Sequence, residues 1–232
     1  METRTTGMFE SLAVMLKKHT MKGLTIVQIL LLILFTNCTQ KPNDKSENLA
    51  TMKDYFNETG EIFLKLYKKS NNEIEYWETW NTDRKTALIH YGQLGQRGQT
   101  KEIKAFSNSK LKKKVNTFIS EKLEENYKEI PFEEQFTVVI TFKLDNWGAE
   151  KDLERREEIR NILTEHLGWT GNGICDDAEI GSGEMSLFAD VIDPYLATKT
   201  IIQEFKDKEV NEIPYFTIMQ GDNVIEQDYK IK

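Results

Sequence analysis

Two periods of apolar recurrence divide this chain, and together they leave few folds open. Between Glu61 and Phe106 the period is that of strands. Ile62, Leu64 and Leu66 alternate with other residues, which places every second side chain on one face of a sheet. The runs EIEYWETW (73–80), TALIHYGQLG (86–95) and QTKEIKAF (99–106) continue as three further strands, with turns at Asn71-Asn72 and at TDRK (82–85). From Ser109 to Tyr127 the period changes. Leu111, Val115, Phe118, Ile119 and Leu123 recur at helical spacing, and the opposite face is rich in lysine. Strands followed by one helix predict an antiparallel sheet with the helix laid across it.

A second alternation begins after Pro131. QFTVVITFKL (135–144) is rich in β-branched residues and reads as a strand. AEKDLERREEIRNILTEHLGW (149–169) reads as a helix. Leu153, Ile159, Ile162, Leu163 and His166 or Leu167 share its apolar face, Glu–Arg pairs cover the other, and Gly168 ends it. GICDDAEI and MSLFADVI form a hairpin around Gly181-Ser182-Gly183. Asp193 and Pro194 open a second helix as N-cap and first-turn residue. PYFTIMQ and VIEQDYKI close the chain as a hairpin around Gly221-Asp222-Asn223. The order βαββαβ, with one extra strand, predicts a ferredoxin-like sandwich. The fold class is therefore α+β, with units at 59–131 and 132–232. Charge divides at the same place. Residues 59–131 hold 14 Lys and Arg against 10 Asp and Glu, and residues 132–232 hold 10 against 22.

The N-terminal region belongs to neither unit. LTIVQILLLILF (24–35) is too short to span a bilayer, which needs roughly 20 apolar residues. It suits the apolar core of a secretory signal, with Lys17, Lys18 and Lys22 as its basic flank. Met21 makes an ordinary signal start, so residues 1–20 read as an upstream extension of a signal segment 1–37. The apolar run followed by Cys38 and a polar stretch resembles the lipobox of bacterial lipoproteins, with Asn37 where that family has a small residue. The resemblance implies lipidation at Cys38, a tether at 38–58 and a location at the cell envelope, lipid-anchored to a membrane. Cys175, the only other cysteine, is then left without a disulfide partner, and a lone thiol of this kind is expected to be buried.

The stretch HYGQLGQRGQT (90–100) spaces Gly92, Gly95 and Gly98 three apart. A glycine loop that cradles phosphate needs a helix N-terminus after it. This one precedes a strand, so it reads as a turn whose glycines serve positions of positive φ. The same stretch, with Phe106, Phe118, Lys122, Tyr127 and an upstream Trp77 or Trp80, resembles the WGR domain over about residues 60–130. That family is known from DNA-dependent poly(ADP-ribose) polymerases and assorted bacterial proteins. Leu94-Gly95 and Gly98-Gln99 match its motif, whereas Tyr91 and Gln93 stand in place of the Trp and Arg that name it. The resemblance implies a ligand face near the motif. Its candidate binding residues are Tyr91 and Gln93 of the motif, with Arg97, Lys101, Lys112 and Lys113 added by charge from a basic patch (Lys110 and Lys112–Lys114 with Arg84, Lys85, Arg97, Lys101 and Lys104) that reads first as a solvated face. A tyrosine still stacks, but a glutamine supplies no charge to a phosphate backbone, so nucleic acid is the disfavoured ligand.

No sequence pattern points to catalysis. His19, His90 and His166 lack metal-ligand spacing, and no Cys-x-x-Cys occurs. The acids Asp176, Asp177, Glu179 and Glu184 lack the EF-hand spacing and read as a solvated face or one turned to a basic partner. Ser182 lacks the strand–turn–helix setting of a nucleophile elbow. The expectation is thus a lipid-anchored binding protein with no catalytic residues, metal or cofactor, and with a protein partner of unknown identity. Two other readings stand beside it, a nucleic-acid-binding WGR protein and, through the acidic second unit, an enzyme or an immunity-type inhibitor of a basic protein.

Overall fold

A computed structural model describes residues 55–229, apart from 72 and 146–148. Cys38, the signal segment and most of the expected tether lie outside the described residues. The first sheet contains β1 (Phe63–Ser70), β2 (Glu73–Asn81), β3 (Thr86–Gln93) and β4 (Gln99–Lys104), and helix α1 (Asn108–Glu124) follows. The second sheet contains β5 (Phe136–Lys143), β6 (Gly173–Gly181), β7 (Glu184–Val191), β8 (Tyr215–Gln220) and β9 (Asn223–Tyr229). Helix α2 (Glu150–Trp169) lies between β5 and β6, and α3 (Pro194–Asp207) between β7 and β8. The fold is α+β.

The first sheet is an antiparallel meander in the order β1-β2-β3-β4. Alternation gives it two faces. Leu64, Leu66, Trp77, Ala87, Ile89 and Ile103 point to one side and meet Leu111, Val115 and Ile119 of α1 in a single core. Ser107 caps α1 by accepting from the Lys110 N–H at 3.4 Å. After α1 the chain pairs back onto β1 through Tyr67 and Lys128, whose backbones exchange bonds of 2.8 and 2.9 Å and so cover part of that edge.

The second sheet runs β6-β7-β5-β8-β9, antiparallel throughout. Leaving out β9, this is the ferredoxin-like strand order. Helices α2 and α3 cover one face, where Val138, Ile140, Phe142, Leu163, Leu167, Leu187, Ile201 and Phe216 form the core. Burial of each such side chain stabilises by about 1.5–3 kcal/mol. Cys175 belongs to this core, and burial pushes its thiol up to about 12. Ser182 and Gly183, both at positive φ, make the two-residue turn of the β6–β7 hairpin.

Two expectations for α2 are corrected. Leu153 is 49% exposed, and Asp152 joins Ile159, Leu163, His166 and Leu167 on the buried side instead. The helix also runs through Gly168. It ends in a Schellman motif, in which Gly171 at φ +70° donates to Gly168 O (3.1 Å) and Asn172 donates to Leu167 O (3.0 Å).

Both sheets lie within one compact unit, Tyr55–Lys232, and the joint where their two halves meet lies inside it. Tyr67, Tyr76, Leu94 and Ile192 form a third apolar cluster at this joint, supported by Ile74, Ile130 and Leu196.

Candidate functional site

Strand β2 is buried on both faces, and its alternation sorts the chemistry. Tyr76, Glu78 and Trp80 point to the joint, and Glu75, Trp77 and Thr79 point to the α1 side. On β3, His90 and Gly92 face the joint, and Ile89, Tyr91 and Gln93 face α1. The chain therefore carries two distinct polar regions, one open and one enclosed.

The open region is a groove of about 510 Å³ where α1 leaves the sheet uncovered. Trp77, Ile89, Tyr91 and Gln93 form its floor, and Phe118, Glu121, Lys122 and Tyr127 its wall. Tyr91 is 39% exposed and donates to Gln99 Oε1 at 3.2 Å. Gln93 accepts from Gln96 Nε2 at 2.9 Å. Lys101 Nζ sits 4.8 Å from the Phe118 ring centroid, within cation–π reach. Tyr127 donates to Glu75 Oε2 at 2.5 Å, and burial together with that carboxylate holds its phenol above the ordinary tyrosine range.

The structure brings Tyr91, Gln93 and Lys101 together here. Lys112 and Lys113 lie elsewhere, on the N-terminal half of α1, where Lys112 Nζ stands 5.0 Å from the Phe56 ring centroid. Arg97 is turned the other way. Its Nη2 is 3.6 Å from Glu204 Oε1 of α3, and Glu204 Oε2 is 3.1 Å from His166 Nδ1 of α2. The arginine of the glycine run thus spans the joint. Arg97→Ala is expected to lower stability by at most about 1 kcal/mol in urea unfolding, because the side chain is largely exposed.

The enclosed region is a chain of bonded side chains. Lys65 Nζ lies 3.2 Å from Glu78 Oε2, and Glu78 Oε1 lies 2.6 Å from His90 Nδ1. His90 Nε2 lies 3.1 Å from the Tyr76 hydroxyl, which also reaches Gln96 O (3.3 Å) and Trp169 O (3.2 Å). Burial opposes the charge of Glu78, but Lys65 and then His90 outweigh it and hold the carboxyl below the usual carboxylate range. Burial likewise opposes the charge on Lys65, and Glu78 outweighs it. Tyr67, pushed up to about 12 chiefly by burial, donates to Gly171 O across the joint at 3.2 Å. These groups bond to one another and to backbone carbonyls of the second half, so the network fastens the two sheets together.

The glycine run belongs to the same joint. Gly95, at φ +80°, is the one member of the run that needs the left-handed region. Its N–H donates to Thr170 O at 2.9 Å, and a Cβ there would overlap Leu196. Gly98 needs close approach instead. A Cβ would overlap the Tyr76 hydroxyl and the Tyr91 carbonyl. Gly92 is similar, with the Gly98 Cα 2.9 Å from the Cβ position. The expectation of positive φ at all three is corrected accordingly.

Nothing local in the sequence marks the enclosed network. Glu78 and His90 look like ordinary outward residues of an alternating strand, and Trp169, at the end of α2 far along the chain, packs edge-on against the His90 ring. The one available signal was the density of aromatic residues on both faces of EIEYWETW, which a half-solvated sheet does not need. The acids Asp176, Asp177, Glu179 and Glu184 spread along β6 and β7, with a bulge between Cys175 and Asp177, and Glu184 accepts from the Tyr215 hydroxyl at 2.6 Å. Among the described residues, no group of three or more His, Cys, Asp or Glu is placed to hold a metal ion. Comparison with protein-family models, curated proteins and solved structures finds no match for the chain.

Proposed function

We propose that the protein is a lipid-anchored, non-enzymatic binding protein whose ligand face is the groove of Tyr91, Gln93 and Lys101. The observation that carries this reading is the division of polar chemistry between the two regions. The groove presents recognition chemistry to solvent: an exposed tyrosine, an amide and a lysine over an aromatic ring. The strongly coupled ionisable groups are spent on the joint instead. With Glu73, Glu75 and Glu121 beside Lys101 and Lys122, the groove has both signs of charge, which suits a polypeptide segment better than a phosphate backbone. The resemblance to the WGR domain supports the same face, and the resemblance to the lipobox supports the anchor at Cys38.

Two measurements test this. Metabolic labelling with radioactive palmitate should mark the chain and leave the Cys38→Ala variant unmarked; an unlabelled parent chain retaining residues 22–37 removes the anchor. A photo-crosslinking residue at Gln93 in intact cells should capture one discrete protein, with capture lost in a Tyr91→Ala, Lys101→Ala background. For DNA, the expected affinity is no better than non-specific, about 10⁻⁴ to 10⁻⁶ M at physiological salt. Submicromolar duplex binding with no crosslinked protein would put the nucleic-acid reading first.

A further inference from the structure

Half of the fourteen basic residues of the first half gather at one end of the meander, and the chain enters the fold at that same end. The 82–85 turn carries exposed Arg84 and Lys85, and the Lys85 carbonyl accepts from Ala105 N–H at 2.8 Å. This seats the turn beside Phe106, which is 90% exposed, and beside the first turn of α1. Lys110 Nζ lies 5.9 Å from the Phe106 ring centroid, and Lys113 and Lys114 follow as exposed residues of the same helix. The carboxylates at this end are Asp83, whose Oδ1 accepts from the Lys85 N–H, Glu102, paired with Lys104 at 2.8 Å, and Glu58 and Glu61 on the entering segment, Glu61 accepting from the Asn57 and Thr59 side chains. The cations outnumber them in a chain whose formal charge is −7.

The entry point is fixed by three contacts. Ile62 N–H donates to Asn81 Oδ1 at 2.9 Å at the end of β2. Phe56 packs under Lys112, and Gly60 lies against the Asn108 side chain. The segment arriving from Cys38 therefore joins the fold beside the basic end. Residues 39–54 reach at most about 55 Å when fully extended.

We infer that this end, with Phe106 at its centre and Arg84, Lys85, Lys110 and Lys113 around it, docks onto an anionic phospholipid surface. The inference rests on the lipid anchor proposed above. An exposed aromatic ring among lysines has the chemistry of the bilayer interface, where the ring enters the headgroup layer and the ammonium groups meet lipid phosphates. One acyl chain gives marginal binding, and a basic patch is a second signal that makes it stable. Docking here also orients the molecule, because the acidic second half is held away from a surface that would repel it.

The test uses the full chain, carrying its lipid, in vesicles of phosphatidylcholine alone or mixed with phosphatidylglycerol, each with and without brominated acyl chains. Flotation on phosphatidylcholine reads the anchor. The bromolipid quenching that Phe106→Trp adds over the parent chain reads docking. Added quenching is expected on anionic vesicles only. It should be lost at high salt and in a Lys85→Glu, Lys110→Glu, Lys113→Glu background that still floats and shows an unchanged circular dichroism spectrum. Each lysine near an anionic surface strengthens the docked state about fivefold, so three reversals suffice to abolish it. A floating chain with equal quenching on both vesicles overturns the docking. A chain that fails to float on phosphatidylcholine refutes the anchor alone, and its quenching on anionic vesicles still decides the docking. Binding of a DNA duplex that the three reversals abolish, without added quenching, overturns the inference in favour of nucleic acid.

Discussion

Replacing Gly98 with alanine is expected to destabilise the protein by about 3 kcal/mol, the upper part of the range for forced overpacking, as read by a shift in urea midpoint at unchanged slope. The methyl group has nowhere to go. It would overlap the Tyr91 carbonyl within the same turn and the Tyr76 hydroxyl beneath it, and it would come within 2.9 Å of His90 Nε2. Tyr76 cannot move aside cheaply, because its other face is packed by Gly171 and its hydroxyl lies between the Gln96 and Trp169 carbonyls. The damage therefore reaches the joint as well as the turn. Gly181→Ala is the matched control, since no atom lies within 4 Å of its Cβ position, and it should shift stability by less than about 0.5 kcal/mol. Adding Tyr76→Phe to Gly98→Ala should rescue only part of the loss, because the clash with the Tyr91 carbonyl remains. Full rescue would show that the hydroxyl is the whole obstacle. A stable Gly98→Ala protein would show that the turn can relax away from the Tyr91 carbonyl and the Tyr76 hydroxyl at little cost.

That case also marks how far the sequence could be read. The turn at Gly92–Gly98 was legible, because glycine spacing and the alternating run that follows are local signals. Why all three positions are glycine was not legible. The side chains that exclude a Cβ there are Tyr76, Leu196 and His90, and the most distant of them lies about a hundred residues away. The same limit explains α2. Its existence follows from its period, but its end does not, since Gly168 and Gly171 offer equal local signals. Only Gly171 can take φ +70° while the Tyr76 ring lies against it. The strand order of the second sheet follows from the alternation of strand and helix periods, and the face carrying Tyr91, Gln93 and Lys101 from simple alternation and pairing. Lys112 and Lys113 were grouped with them by charge alone, and charge does not say which end of a helix faces a groove. Arg97 joins them by charge as well. Its actual partner, Glu204, lies on a helix whose docking no local pattern encodes.

Breaking the enclosed ion pair is the second large effect expected. Glu78→Gln should cost about 3–5 kcal/mol, the range for stripping one partner from a buried pair, because it leaves the Lys65 ammonium without its counter-charge. Glutamine can still accept from His90 Nδ1, so the loss reports charge and not shape. Adding Lys65→Met should return most of the stability, since removing both charges removes the burial penalty of each, and the double-mutant cycle measures their coupling. The pair also sets a pH dependence whose sign follows from the two shifts. Glu78 is held below its ordinary value of 4.5 in the fold, so its contribution is complete above that value and fades as pH falls through the lower folded value. Lys65 is held above its ordinary 10.5, so its contribution is complete below 10.5 and fades as pH rises past it. Between those limits the pair's contribution is flat. Glu78→Gln should therefore lower the whole plateau and flatten the acid limb of the stability curve. A variant within about 1 kcal/mol of the parent, with the same acid limb, would mean that Lys65, 17% exposed, finds water in place of Glu78 and that the joint is held by its apolar cluster and carbonyl bonds alone.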